Sequence, residues 1–140
     1  MYEKNTILWD HFKEPRYEGK LNHCHHRIFG KNPLCGDEIT ITCLKSEAGW
    51  QANYQTKSCM VCTASASLLM TMINESQSNL LDNIIVEFLN GAENKPLVSK
   101  EFANFWQTIS KYPVRHKCAL LPWKTWQDYF LTRDPNEFNN

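Results

Sequence analysis

The sequence predicts an α+β fold, a small antiparallel β-sheet packed against a bundle of helices. Two observations carry that prediction. Apolar residues alternate singly between residues 39 and 54, then recur every three to four positions from residue 59 onward. After one short helix the strands come together and the remaining helices follow as a run, a segregation typical of α+β rather than alternating α/β chains.

Each element has its own grounds. Residues 4–13 read as a short helix with Ile7, Leu8 and Phe12 toward the core, stopped by Pro15. Residues 19–30, punctuated by Gly19 and Gly30, leave room for a strand. Ile39, Ile41 and Cys43 alternate with Thr40 and Thr42, a half-buried strand. A turn at 45–49 and the alternation of Trp50, Ala52 and Tyr54 complete a β-hairpin. Ser58 suits the N-cap of a helix from about Cys59 to Asn74, with Ala64, Ser65, Ala66 and Ser67 small enough for close packing. Leu80, Leu81, Ile84, Ile85, Phe88 and Leu89 mark a second helical pattern, ended by Gly91. After a loop over 91–98, Ser99 opens a third helix carrying Phe102, Phe105, Trp106 and Ile109, broken at Tyr112-Pro113. A last helix is expected from about Ala119 to Leu131, with Pro122 accommodated in its first turn. The polar stretch from Asp134 to Asn140 is expected to fray.

At 140 residues the chain is expected to form one domain, spanning 1–140. Apolar residues at 42% and charged residues at 21% exclude a disordered or collagen-like chain. Fifteen basic and fifteen acidic side chains cancel, so charge gives no case for a nucleic-acid partner or a polybasic membrane anchor. No apolar run approaches the roughly 18 residues of a membrane span, and Met1–Asp10 lacks the long apolar core of a secretory signal. A cytoplasmic chain with reduced thiols is therefore expected. In that setting Cys24, Cys35, Cys43, Cys59, Cys62 and Cys118 point to metal or sulfur chemistry rather than disulfides. Cys43 reads as a buried small hydrophobe.

Four places could carry that chemistry. Asn32-Pro33-Leu34-Cys35-Gly36-Asp37 places a thiol and a carboxylate two residues apart in a bend; a tight loop with a packed Cys is the plainer alternative. Cys59-Met60-Val61-Cys62 sets Cys59 at a helix N-terminus, where unpaired N–H groups favour a thiolate. Cys62, one turn on, is as well read as a core thiol. His116-Lys117-Cys118 leads into the last helix, with Lys117 read as solvated. The run His23-Cys24-His25-His26 resembles a metal cluster, but a strand would send alternate side chains to opposite faces, which favours surface histidines. A phosphate-cradling glycine loop, a GxSxG elbow and HExxH are absent from the sequence.

Taken in order, these motifs resemble the U-type iron–sulfur cluster assembly proteins, the SufU, IscU and NifU N-terminal family, most closely its SufU branch. The likeness runs over about residues 7–130. It rests on Asp10-His11-Phe12-Lys13-Glu14-Pro15-Arg16, on Asn32–Asp37, on Cys59 with Ala64-Ser65-Ala66-Ser67, and on Pro113-Val114-Arg115-His116-Lys117-Cys118. The long interval between Cys59 and Cys118, and Lys117 where IscU carries a histidine ligand, mark the SufU branch. The residues Thr56-Lys57-Ser58 depart from the glycine usual before the second cysteine, and Cys62 and the histidine run lie outside the family's motifs.

The resemblance implies a SufE/IscU-like fold and a metal site of Cys35, Asp37, Cys59 and Cys118, three thiolates and one carboxylate. Such a set completes a tetrahedral zinc site and also suits iron–sulfur clusters. For a SufU-like protein it implies zinc, with iron or a [2Fe–2S] cluster as the alternative cargo. It implies sulfur received from a pyridoxal-phosphate-dependent cysteine desulfurase, with Cys35 as acceptor once freed from zinc, and downstream iron–sulfur acceptor or scaffold proteins. Asp37, the harder ligand, is expected to keep the site exchangeable. An IscU-like scaffold, a zinc-stabilised interaction module and a thiol oxidoreductase working through Cys59 and Cys62 are the competing readings.

Overall fold

The computed structural model describes residues 3–131. In chain order the elements are α1 (Ile7–Lys13), β1 (His26–Asn32), β2 (Asp37–Ser46), β3 (Gly49–Lys57), α2 (Met60–Glu75), α3 (Leu81–Gly91), α4 (Lys100–Ile109) and α5 (His116–Leu131). Short 3-10 turns at Ser78–Leu80 and Pro113–Arg115 lead into α3 and α5. The strands form one antiparallel meander in the order β1-β2-β3, so the α+β class is as the sequence predicts. The tail expected from Asp134 lies outside the described residues. Among the described residues, no helix is long and apolar enough to cross a membrane.

One face of the sheet is dry. Ile28, Ile39, Ile41, Cys43, Ala52 and Tyr54 point inward and are at most 3% exposed. Against that face α2 packs over β3, α5 packs over β1, and the two helices pack on each other. The open edge of β3 is covered by the chain leaving α1. Gly19 donates its N–H to the Tyr54 carbonyl at 2.7 Å, and Tyr54 donates to the Tyr17 carbonyl at 3.1 Å. That contact uses the start of the segment left open for a strand, and β1 itself begins only at His26.

The helices differ from the sequence reading in three places, each for a physical reason. In α1, Phe12 is 37% exposed and His11 is buried at 5%, because His11 finds a polar partner in Ser67 of α2, with Nδ1 2.7 Å from Oγ. The N-cap of α2 is Cys59, not Ser58, whose hydroxyl lies 3.0 Å from the Thr63 hydroxyl. The last helix starts at His116, wound up by the turn at Pro113–Arg115, so Pro122 lies inside it rather than in its first turn. Its ring has no N–H for the Cys118 carbonyl four residues back. The small residues of α2 behave as expected. Ala64, Ser65, Ala66 and Ser67 are fully buried, and Ser65 ties α2 to α5 by donating to the Ala119 carbonyl and accepting from Trp123 Nε1.

Candidate metal centre

The β1–β2 turn brings the first two donors together. The Asn32 carbonyl accepts the N–H of Cys35 at 3.3 Å and of Gly36 at 2.9 Å, folding the turn back on itself. Gly36 holds φ +75°, a left-handed conformation that side chains disfavour. Asp37 then opens β2 with its side chain on the buried face, 1% exposed. From the opposite side, the first turn of α5 supplies Cys118, which is fully buried. The donor atoms of Cys35, Asp37 and Cys118 all lie within 4.8 Å of one another. Cys35 is the exposed member of the three.

Asp37 links this cluster to α2. Its Oδ1 accepts the backbone N–H of Cys59, the N-cap residue of α2, at 3.0 Å, and so fixes the start of that helix against β2. Its Oδ2 is buried and has no hydrogen-bond partner. A buried, unpartnered carboxylate oxygen is costly, and a cation held between it and the neighbouring sulfurs would remove that cost. Three thiols and a carboxylate are a donor set that fits zinc or an iron–sulfur cluster. Of the four sequence-derived ligands the structure gathers three, and Cys59 stands half-buried at the rim, beside Cys118. Burial, then the adjacent Asp37 and the thiols of Cys59 and Cys35, push the Cys118 pKa well up. In the metal-free protein that thiol keeps its proton, so loading a metal there would release one.

The other sequence candidates lie elsewhere. Lys117 is exposed, and the His116 ring packs on Trp106 with centroids 5.1 Å apart. His23, Cys24 and His25 precede β1, so the alternation expected of them does not apply. His25 Nδ1 accepts the Lys45 N–H at 3.3 Å. The His26 ring packs among Trp50, Tyr129 and Phe130. Among the described residues, Cys35, Asp37 and Cys118 are the one such group close enough to hold a metal ion. Cys62 and Cys43 are core residues, fully buried, with burial pushing each thiol up to about 12. A buried Cys62 does not suit a CxxC redox pair. One residue escaped the sequence reading. Asn32, taken only as a turn former, is 7% exposed and its Nδ2 has no partner.

The chain has relatives. The family described as the NifU-like N terminal domain matches residues 1–119. The chain is 30% identical over 122 residues to the zinc-dependent sulfurtransferase SufU of Bacillus subtilis, covering 84% of this chain and 82% of that protein. It is 32% identical over 125 residues to the iron–sulfur cluster assembly scaffold protein IscU of Thermotoga maritima, covering 86% and 87%. Among solved structures, the SUF-system protein FiSufU of Fervidobacterium islandicum superposes with a TM-score of 0.79 at 27% identity, covering 91% of this chain and 94% of that one. The N-terminal NifU-like protein of Brucella abortus shares the fold, with a TM-score of 0.76 at 17% identity over 96% and 93% of the two chains.

Proposed function

The chain belongs to the NifU-like N-terminal domain family of iron–sulfur cluster assembly proteins, and from that premise we propose that it is a zinc-holding sulfur acceptor of SufU type. The observation that carries the reading is the cluster of Cys35, Asp37 and Cys118 around the orphaned Asp37 Oδ2. Cys59 completes the set from the rim. Bound zinc would hold the cysteine sulfurs as thiolates at neutral pH. Asp37 is the weaker, oxygen ligand that keeps the site exchangeable.

The sulfur donor is the persulfide of a cysteine desulfurase. Cys35 is the exposed donor and the one a partner can reach. Its thiolate attacks the outer sulfur of that persulfide. A new S–S bond forms at Cys35 Sγ, the old one breaks, and the electron pair leaves with the desulfurase thiolate. No outside oxidant or reductant is needed. The similarity to a zinc-dependent sulfurtransferase supports this reading. The scaffold reading rests on the comparable identity to IscU.

The test is metal and acid-labile sulfide analysis of tag-free protein purified without oxygen, with a desulfurase assay alongside. About one zinc per chain and no sulfide is the expected content. Cys35→Ser should abolish stimulation of the desulfurase, and Cys62→Ala should leave it intact. Iron with matching sulfide would replace this reading with the scaffold. Stimulation that survives Cys35→Ser but not Cys62→Ala would favour dithiol chemistry at Cys59 and Cys62.

A further inference from the structure

We propose that Asn32 is a positioning residue of the metal centre, its side-chain amide donating to the Cys35 sulfur in the loaded site. The inference rests on the metal-site reading above. Asn32 closes β1 and faces Asp37 across the last rung of the β1–β2 ladder. The burial pattern puts both side chains on the inner face of the sheet, in line with Ile28 on one strand and Ile39 on the other. At that one rung two polar atoms are buried and unpartnered: the donor Asn32 Nδ2 and the acceptor Asp37 Oδ2.

Directly opposed residues have Cβ atoms about 4.5–5.5 Å apart, so the two groups could have been placed to satisfy each other. They are not, and each therefore lacks something that loading would bring. A cation satisfies Asp37 Oδ2 but cannot satisfy an N–H donor. The donor needs an acceptor lone pair, and a cysteine sulfur held in place by the ion would present one. Cys35 is the nearest candidate along the chain. It lies in the turn whose N–H groups already fold onto the Asn32 carbonyl. An amide donating to that sulfur would fix its direction without adding charge to the site, as residues outside the ligand set do at other metal centres.

Asn32→Leu keeps the size and removes the donor, and Asn32→Ala serves the same purpose should leucine not fit. Three readings are compared with the unaltered protein: melting of the metal-free form, zinc affinity by chelator competition, and the thiolate-to-metal charge-transfer absorption of the cobalt(II)-loaded form. The metal-free variant should melt no lower, because an unpaired buried donor has gone. Zinc affinity should fall by about tenfold or more, and the charge-transfer band should move to lower energy. In a Cys35→Ser background the same substitution should have no such effect. A metal-free variant that melts lower, with affinity and spectrum unchanged, would make Asn32 purely structural and overturn the inference. An undiminished effect in the Cys35→Ser background would overturn it by placing the acceptor elsewhere. Failure of the unaltered protein to take up zinc or cobalt would instead remove the metal-site reading, and this inference with it.

Discussion

His11 shows how one residue's environment fixes its chemistry. It is 5% exposed with Nδ1 2.7 Å from Ser67 Oγ, and that oxygen already accepts the Arg16 N–H at 2.9 Å. The Ser67 proton is then free to donate to a neutral imidazole. Burial, then Arg16, lowers the His11 pKa from 6.5 to about 4, against the opposing pull of Asp10 and Glu75. Between those values the unfolded chain binds a proton that the folded chain does not. The stability contributed by neutral His11 is therefore complete above pH 6.5 and lost as pH falls toward 4. His11→Gln should flatten the fall in melting temperature between neutral and acid pH relative to the unaltered protein. Equal slopes would take His11 out of the account. The burial of Cys43 could be read from its neighbours in sequence, whereas the sequence leaves Cys62 open between a core thiol and a site thiol and the structure buries it. The choice of His11 over Phe12 could not be read so, because a seven-residue helix offers two plausible faces and Ser67, fifty-six residues away, selects one.

At the scale of elements, the site depends on how closely α5 approaches the sheet. Gly30 is the point of contact. A Cβ there would overlap the Thr125 side chain, coming within 2.9 Å of its Cβ, an atom that no rotamer change moves. Gly30→Ala therefore cannot be relieved by a Thr125 rotamer alone, and β1 and α5 would have to move apart, which would disturb the approach of Cys118 to the β1–β2 turn. The gain in strand propensity is too small to offset an overpacking cost of about 1–3 kcal/mol. Thermal melting should show a drop of roughly 3–10 °C, with weaker zinc binding beside it. A variant that melts normally would mean that α5 is free to ride away from β1. Sequence periodicity located α5 but not its first turn, since the turn at Pro113–Arg115 and the start at His116 follow from local winding that Pro122 obscures. In the same way, Ser58 is a better cap by composition than Cys59. Asp37 decides the matter from another element by taking the Cys59 N–H.

Over the whole molecule, the candidate ligands join pieces that the chain keeps far apart. Cys35 belongs to the β1–β2 turn, Asp37 to the start of β2, Cys59 to the head of α2 and Cys118 to the head of α5. An ion held among them would fasten the sheet to both helices that cover it. The α+β class was legible because the change of apolar period is a property of the chain alone. The convergence of the donors was not, because it depends on a three-stranded meander and on α5 crossing back over β1; only the order of three motifs and the family resemblance pointed to it. The rim position of Cys59 had no signal in the sequence at all. If the fold builds this site and the unfolded chain does not, metal binding adds directly to stability, by about 2.7 kcal/mol at a free concentration a hundredfold above Kd. Zinc should then raise the melting temperature of the chelator-treated protein by roughly 5–10 °C. Cys118→Ser should remove most of that rise, because it takes away the donor that α5 brings to the sheet. Stoichiometric zinc binding with no change in melting would mean that the unfolded chain holds the ion equally well, and that the folded arrangement of Cys35, Asp37 and Cys118 is not what captures it.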